Sequence, residues 1–174
     1  MGRFGVASIL VLIGVGPALA AELPSRKAGL WEVKMNIGNG SVPGQTIQQC
    51  IDAATDQMMQ SSAGPMSQQA CSKRDIQKSA TGVTIDSVCT VGGKAATSHA
   101  VITGSFDSAY TMTVTSQSEG MPGGGMTMTM SAKWLGPCAA DQKPGDMIMG
   151  NGFKVNILEM QKRGLSQGVP LPAR

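Results

Sequence analysis

The amino-acid sequence predicts a mainly β fold, an antiparallel meander sheet curled into a half-barrel or small barrel, with one or two short helices and two disulfides. Three observations support this prediction. Several segments alternate apolar and polar residues with a period of two, which is typical of strands that bury one face. Glycine-containing turns separate these segments, and the chain has 23 glycines but only 3% aromatic residues. The four cysteines form an even set, which favours paired thiols.

The first twenty residues have the features of a secretory signal peptide. Arg3 gives a positive start, an apolar run follows, and Ala18 and Ala20 place small residues where a signal peptidase cleaves. The apolar run is too short for a transmembrane helix, and no cysteine stands directly after Ala20 to carry a lipid anchor. We therefore expect a cleaved signal peptide, a periplasmic protein and a mature chain without a membrane anchor.

The remaining chain has a length that suits one domain. We expect a signal peptide at 1–20, a single disulfide-stapled β domain at 21–152, and a short helix with a disordered tail at 153–174. The formal charge of +3 falls to +2 when Arg3 is removed. Such a small excess argues against nucleic acid as a partner.

The first strand is predicted from the alternation over 29–37. Its apolar face carries Trp31, Val33, Met35 and Ile37, with polar residues between them. A second strand is predicted at 45–51. The segment 52–60 contains good helix formers and begins at Asp52, a residue type that caps helix N-termini, so a helix is expected there.

Consecutive hairpins are predicted between residues 71 and 138. Strands over 83–89, 95–106 and 110–115 are separated by short turns, and a turn at 119–125 leads to the last strand. The residues expected to face inward are Ala96, Ala100, Ile102, Phe106, Tyr110, Met112, Val114, Met126, Met128, Met130, Ala132 and Trp134. A meander with one apolar face must curl or be covered to bury that face.

The C-terminal part has a weaker pattern. Residues 142–152 contain Pro144-Gly145 and Asn151-Gly152, which predicts a loop. A short helix is expected over 153–162, burying Phe153, Ile157 and Met160.

The cysteine pairing follows from the first predicted hairpin. Its turn at 79–82 places Cys71 nearly opposite Cys89, which leaves Cys50 to pair with Cys138. Disulfides are favoured in an oxidising compartment. A zinc site is disfavoured because the chain contains no C-x-x-C pair and only one histidine, His99.

A distinctive set of stretches lies at 24–33, 50–56, 71–75, 84–89, 109–114 and 133–138. Their most specific marks are the start Gly29-Leu30-Trp31-Glu32 and the spacing of the four cysteines. In these stretches the chain resembles the bacterial exported-protein family numbered 3617 among domains of unknown function. The resemblance implies an exported, mainly β domain with paired cysteines, and it implies no activity.

Methionine is unusually abundant, with 13 residues. Met126, Met128 and Met130 place three thioethers on one strand face, and soft thioethers can bind Cu(I). Methionine also fills irregular cores and adaptable pockets, which is the favoured interpretation. Two alternatives follow for this face: a filled core, closed by the helix after Cys50 and by the C-terminal segment, or a pocket for an apolar molecule. The candidate pocket residues are Trp31, Met35, Met112, Met128, Met130 and Trp134.

No pattern of residues predicts catalysis. His99 is expected near Asp86 or Ser87, but neighbours on a sheet do not supply a nucleophile elbow or an oxyanion hole. The pairs Lys73-Arg74 and Lys162-Arg163 are interpreted as solvated. We therefore expect a non-enzymatic exported protein without a cofactor, which binds an apolar small molecule or an envelope protein. The alternative is a copper-handling protein that uses the methionine-rich strand.

Overall fold

The computed structural model describes residues 23–38, 44–62, 71–91, 93–118 and 125–162. These residues form nine strands and two short helices. In chain order the elements are β1 (Gly29–Ile37), β2 (Gln45–Ile51), α1 (Ala53–Ser62), β3 (Cys71–Ser79), β4 (Gly82–Val91), β5 (Lys94–Ser105), β6 (Ala109–Ser118), β7 (Met126–Gly136), β8 (Asp146–Met149), β9 (Lys154–Asn156) and α2 (Ile157–Lys162). Neither helix is long and apolar enough to cross a membrane.

All nine strands belong to one antiparallel sheet in the order β3-β4-β5-β6-β7-β1-β2-β8-β9. Strands β3 to β7 form the predicted meander, in which each strand pairs with the next along the chain. Strand β1 then pairs with β7, with Val33 opposite Ala132, and β2 continues the sheet on the other side of β1. Among the described residues β3 and β9 remain at the two edges, so the sheet is open.

The sheet is strongly curled. Six strand spacings separate β3 from β2, which in a flat sheet would place them roughly 29 Å apart. Arg74 of β3 and Gln49 of β2 nevertheless line the same cavity of about 170 Å³. The half-barrel prediction is therefore confirmed. The curled sheet has an inner, concave face and an outer, convex face.

The inner face carries the hydrophobic core that the alternation predicts. Trp31 and Ile85 are almost fully buried, and the core continues through both halves of the sheet. The buried cluster consists of Trp31, Val33, Ile51, Val83, Ile85, Ala100, Ile102, Tyr110, Val114 and Ala132. The alternation weakens at strand ends, where Ile37 and Met126 are each 41% exposed.

Both predicted disulfides are present. Cys71 lies directly opposite Cys89 in the β3–β4 hairpin, and the two residues are bonded. Cys50 at the end of β2 is bonded to Cys138, which follows β7. Since β1 lies between β2 and β7, this second disulfide joins the two strands that flank β1.

Helix α1 begins where the sequence predicts. The Asp52 carboxylate accepts a hydrogen bond from the backbone N–H of Thr55 at 2.8 Å, and the Thr55 hydroxyl accepts one from the Asp52 N–H at 2.9 Å. This reciprocal pair satisfies donors that would otherwise lack partners at the helix start.

The prediction for the C-terminal part is wrong in three respects. Residues 146–149 form β8 rather than a loop, because they pair with β2 and with β9. The last helix begins at Ile157, after β9, and contains no buried residue. Phe153 is 61% exposed because it lies in the turn between β8 and β9. The predicted signal peptide at 1–20, most of the turn at 119–125 and the predicted tail after 162 lie outside the described residues.

Candidate functional site

The main cavity, of about 170 Å³, lies on the inner face of the sheet. Side chains from strands β1, β2, β3, β5, β6 and β7 form its floor and walls. Its cover consists of residues 23–26 together with helix α1, and this part of the chain is called the cover below. The lining residues are Leu23, Arg26, Val33, Gln49, Met59, Gln60, Arg74, Ile102, Phe106, Tyr110, Met112 and Met130.

The cover is held by a buried ion pair between Arg26 and Asp56. The Arg26 Nε atom lies 2.7 Å from Asp56 Oδ1, and the backbone N–H of Arg26 donates to Asp56 Oδ2 at 2.8 Å. The side chain of Arg26 is only 8% exposed and that of Asp56 is fully buried. The pair therefore joins the chain before β1 to helix α1 in an environment where an unpaired charge would be costly.

Further polar contacts join this ion pair to the sheet. Arg26 Nη1 donates to the side-chain oxygen of Gln49 at 2.9 Å, and Gln60 Nε2 donates to Asp56 Oδ2 at the same distance. The Arg26 guanidinium also lies 5.7 Å from the centre of the Trp31 ring, a cation–π distance. The cover is thus oriented by directional contacts and not by apolar packing alone.

Aromatic side chains form one wall of the cavity. The rings of Phe106 and Tyr110 are stacked with centroids 4.8 Å apart, and the Tyr110 ring lies 5.8 Å from that of Trp31. Burial raises the pKa of the Tyr110 phenol above its ordinary value. The phenol is therefore a neutral hydrogen-bonding group at physiological pH, with Arg26 as its neighbour.

Arg74 corrects the prediction that the Lys73-Arg74 pair is solvated. Lys73 is exposed, but Arg74 is half-buried because it shares the inner face of β3 with Ile76. Its Nε atom is buried and, among the described residues, has no hydrogen-bond partner. A guanidinium donor is therefore present in a mostly apolar cavity.

The structure places only two of the six predicted pocket residues on this cavity, Met112 and Met130. Trp31 is fully buried and belongs to the core. Met35, Met128 and Trp134 are partly buried and pack against that core. Trp134 also donates a hydrogen bond to the Ala28 carbonyl at 3.1 Å, and the Lys27 ammonium lies 3.7 Å from the centre of its ring.

The methionines of the inner face meet across strands. Met35 of β1 lies opposite Met130 of β7, which lies opposite Met112 of β6. These three residues are called the methionine row below. Residues directly opposite on antiparallel strands have Cβ atoms about 5 Å apart, whereas residues two apart on one strand are about 7 Å apart. The thioethers of the methionine row can therefore lie closer together than those of Met126, Met128 and Met130, which follow one another along β7.

The outer face contains the histidine. His99 Nδ1 lies 2.7 Å from Asp86 Oδ1, as the hairpin predicts, and both side chains are 54% exposed. Ser87 is on the inner face, where its hydroxyl is 2.6 Å from that of Ser98. Since Ser87 and His99 lie on opposite faces, these three residues do not form a catalytic triad.

The outer face also has a depression of about 450 Å³, lined largely by polar residues that include Lys34, Thr103 and Thr111. It exceeds the inner cavity in volume, but it lies on the exposed side of the sheet and offers little apolar enclosure. Ligand sites are typically concave and mostly apolar. The inner cavity is therefore the better candidate. No group of three or more His, Cys, Asp or Glu side chains suited to a metal ion occurs in the described ranges.

Sequence reasoning missed the residues that close and polarise the cavity. Arg26 and Asp56 are 30 positions apart, so nothing local indicates their pairing. Arg74 carries a usable local pattern, because its spacing of two from Ile76 predicts that both residues face inward. Phe106 was predicted to face inward, and it lines the cavity from the turn after β5.

Comparison with known proteins gives one match. Residues 26–138 match the model of a family described as "Protein of unknown function (DUF3617)". No curated protein and no solved structure matches the chain. The matched segment begins at Arg26 and ends at Cys138, so it contains the ion pair, both disulfides and every lining residue of the cavity except Leu23.

Proposed function

The chain belongs to the DUF3617 family of proteins of unknown function, and we propose that it is a non-enzymatic, exported protein that binds an apolar small molecule in the inner cavity. The observation that carries the proposal is the cavity itself. Its volume of about 170 Å³ is close to the roughly 150 Å³ of a cavity known to hold benzene. A small molecule is favoured over an envelope protein because the site is a covered cavity and not a flat surface.

The chemistry of the lining supports binding rather than catalysis. Its polar side chains, among the described residues, are two arginines, two glutamines and the Tyr110 phenol. Such groups orient a ligand by hydrogen bonding, whereas a general base or nucleophile is most often a carboxylate, imidazole, amine, thiol or activated hydroxyl. Three thioethers, from Met59, Met112 and Met130, give the lining the adaptability found at surfaces that accept varied apolar groups.

Export is supported by the two disulfides. Paired cysteines persist in oxidising compartments and are rare in the reducing cytosol. The predicted signal peptide at 1–20 is consistent with a periplasmic location. Mass spectrometry of the mature protein checks both proposals: the N-terminus is expected at Ala21, and the mass should be lower by the hydrogens lost to two disulfides.

A titration with octanol tests the binding function. The mature protein should bind octanol by isothermal titration calorimetry with a negative heat-capacity change, the mark of apolar burial. Met112→Trp places a large side chain in the cavity and should weaken binding at least tenfold. Thr111→Trp, one residue along β6 and exposed on the outer face, is the matched control and should leave binding unchanged. Absence of octanol binding to the wild-type protein would overturn the proposal.

Copper handling is a second candidate, favoured by the methionine row. Three thioethers that meet across neighbouring strands can provide soft ligands to Cu(I). Replacing Met35, Met112 and Met130 by leucine retains most of the apolar volume and removes the sulfur atoms. If copper is the ligand, this variant loses Cu(I) binding in an anaerobic competition titration and still binds octanol. Equal Cu(I) affinity of variant and wild type would exclude the row as a copper site.

A further inference from the structure

We propose that the ligand of the inner cavity is an anionic amphiphile whose oxyanion head, a carboxylate or a group of similar chemistry, is bound by Arg74. This inference rests on the proposed binding function and specifies the class of ligand. It is carried by the position of one guanidinium group and by the balance of charge around the cavity.

Arg74 has an unmet hydrogen-bonding requirement. It lies on the inner face of β3, opposite Ser87 on β4, and lines the cavity. Its Nε atom is buried and has no partner among the described residues. The nearby Ser87 hydroxyl is engaged with Ser98 at 2.6 Å. Because a buried donor without a partner is destabilising, a ligand acceptor at this position would be bound strongly.

The charges on the cavity are unbalanced. Arg26 is neutralised by Asp56, whose carboxylate lies 2.7 Å from the Arg26 Nε atom. No carboxylate among the described residues forms an ion pair with Arg74. The cavity therefore has a surplus guanidinium charge beside apolar walls. A guanidinium binds planar oxyanions through paired N–H donors, which makes a carboxylate head the best match.

The rest of the ligand must be apolar and short. The cavity of about 170 Å³ is slightly larger than one that accommodates benzene, so it suits an apolar body of about six to eight carbon atoms. Ile102, Met112 and Met130 lie on the floor that such a body would contact.

A comparison of three probes with the same alkyl chain tests the head group. Octanoate, octanol and octylammonium are titrated into the mature wild-type protein by calorimetry. Octanoate should bind about tenfold to a hundredfold more tightly than octanol, the range expected for a charge-assisted hydrogen bond. Octylammonium should bind most weakly, because its charge has the same sign as that of Arg74. This comparison needs no variant, so it does not depend on whether a substituted chain folds.

Substitutions then locate the head group. Arg74→Gln should abolish the preference for octanoate over octanol, whereas Arg74→Lys should retain part of the preference because a positive charge remains. Lys73→Gln removes the same charge from the exposed neighbouring residue and should change nothing. Circular dichroism and the denaturation midpoint verify that each variant is folded.

The outcomes separate this inference from the proposed function. If octanol binds as tightly as octanoate, the cavity binds apolar molecules, but the proposal of an anionic head group is wrong. If the preference for octanoate persists in Arg74→Gln, the head group lies elsewhere and Arg74 is not its partner. If octanol does not bind at all, the proposed function is overturned, and the inference that rests on it is overturned with it.

Discussion

Arg26 and Arg74 each place a guanidinium group at the inner cavity, but the two groups differ in their hydrogen-bond partners. Arg26 donates hydrogen bonds to Asp56 and Gln49, so its role is to fix the cover on the sheet. Arg74 has a buried Nε donor without a hydrogen-bond partner in the described chain. At the scale of single residues, the environment and not the residue type therefore separates a structural arginine from a candidate binding arginine.

The ion pair leads to a prediction about stability. Asp56→Asn leaves the buried Arg26 guanidinium without a counter-charge, and we expect the free energy of unfolding to fall by about 3–5 kcal/mol. Asp86→Asn removes the exposed pair with His99 and should cost no more than about 1 kcal/mol. Urea unfolding at pH 7 measures both values.

A double variant checks the physical cause. Replacing the pair together, by Arg26→Met with Asp56→Leu, removes the uncompensated charge and should be less destabilising than Asp56→Asn alone. If the two single carboxylate variants lose equal stability, the Arg26–Asp56 pair has no special role in holding the cover.

The β8–β9 hairpin shows how a short element depends on its neighbours. Its turn contains Asn151-Gly152, and Gly152 has a φ of 82°, a conformation that favours glycine. The pair Asn-Gly is a recognised indication of a hairpin, and it marks the element that the sequence prediction missed. Pairing with β2 then makes a strand of only four residues stable enough to form.

Asp146, the first residue of β8, joins this strand to β9 through its side chain. Its carboxylate accepts hydrogen bonds from Asn156 Nδ2 at 2.7 Å and from the Lys143 N–H at 2.9 Å, and it lies 2.9 Å from Lys154 Nζ. Burial acts to raise the pKa of Asp146, but these hydrogen bonds and the Lys154 charge outweigh it, so the pKa lies below its ordinary value of 3.8.

The direction of this pKa shift predicts a pH dependence. Because the folded-state pKa is lowered, the contribution of Asp146 to stability is complete above pH 3.8 and is lost as the pH falls through the folded-state value. Asp146→Asn should therefore cost about 1–3 kcal/mol at pH 7, and the difference from wild type should shrink only below pH 3.8. Urea unfolding from pH 2 to pH 7 measures both curves.

A matched control for this prediction is Asp107→Asn, because Asp107 lies in the exposed turn between β5 and β6. Its unfolding curve should follow that of the wild type at every pH. A constant difference between wild type and Asp146→Asn down to the lowest pH would show that the carboxylate charge is not the cause of the stabilisation.

At the scale of the whole molecule, the described residues form an open, curled sheet that contains two disulfides. Cys50–Cys138 has a sequence separation of 88 residues and joins the strands on either side of β1. Cys71–Cys89 has a separation of 18 and staples one edge hairpin. Because the two disulfides close loops of very different length, their contributions to the stability of the fold can be measured separately.

On the chain-entropy model the long-loop disulfide should contribute about 4–5 kcal/mol and the short-loop disulfide about 3 kcal/mol. The test compares the double variants Cys50→Ala with Cys138→Ala, and Cys71→Ala with Cys89→Ala, by urea unfolding. The first should be the less stable protein. The opposite order would mean that native-state packing at the β3–β4 edge, and not loop closure, determines these contributions.

Local patterns in the sequence determined strands β1 to β7, their faces and the cysteine pairing. Alternation with a period of two predicts which side chains share a face, as Trp31 and Val33 show, and the turn after β3 brings Cys71 opposite Cys89. These properties are decided within a few residues, so they follow from local chemistry. The resemblance to the family, carried by the same stretches, was also visible before the fold was known.

Only the tertiary structure decided how the elements meet. The pairing of β1 with β7, the curl that brings Arg74 and Gln49 to one cavity, and the Arg26–Asp56 contact join residues far apart in the chain. No local pattern specifies such contacts, because they depend on which surfaces and charges are buried together. Burial of Arg26, for example, is favourable only when Asp56 is buried beside it. The strand faces were therefore predictable from the sequence, whereas the cavity, and the Arg74 donor that has no hydrogen-bond partner among the described residues, were not.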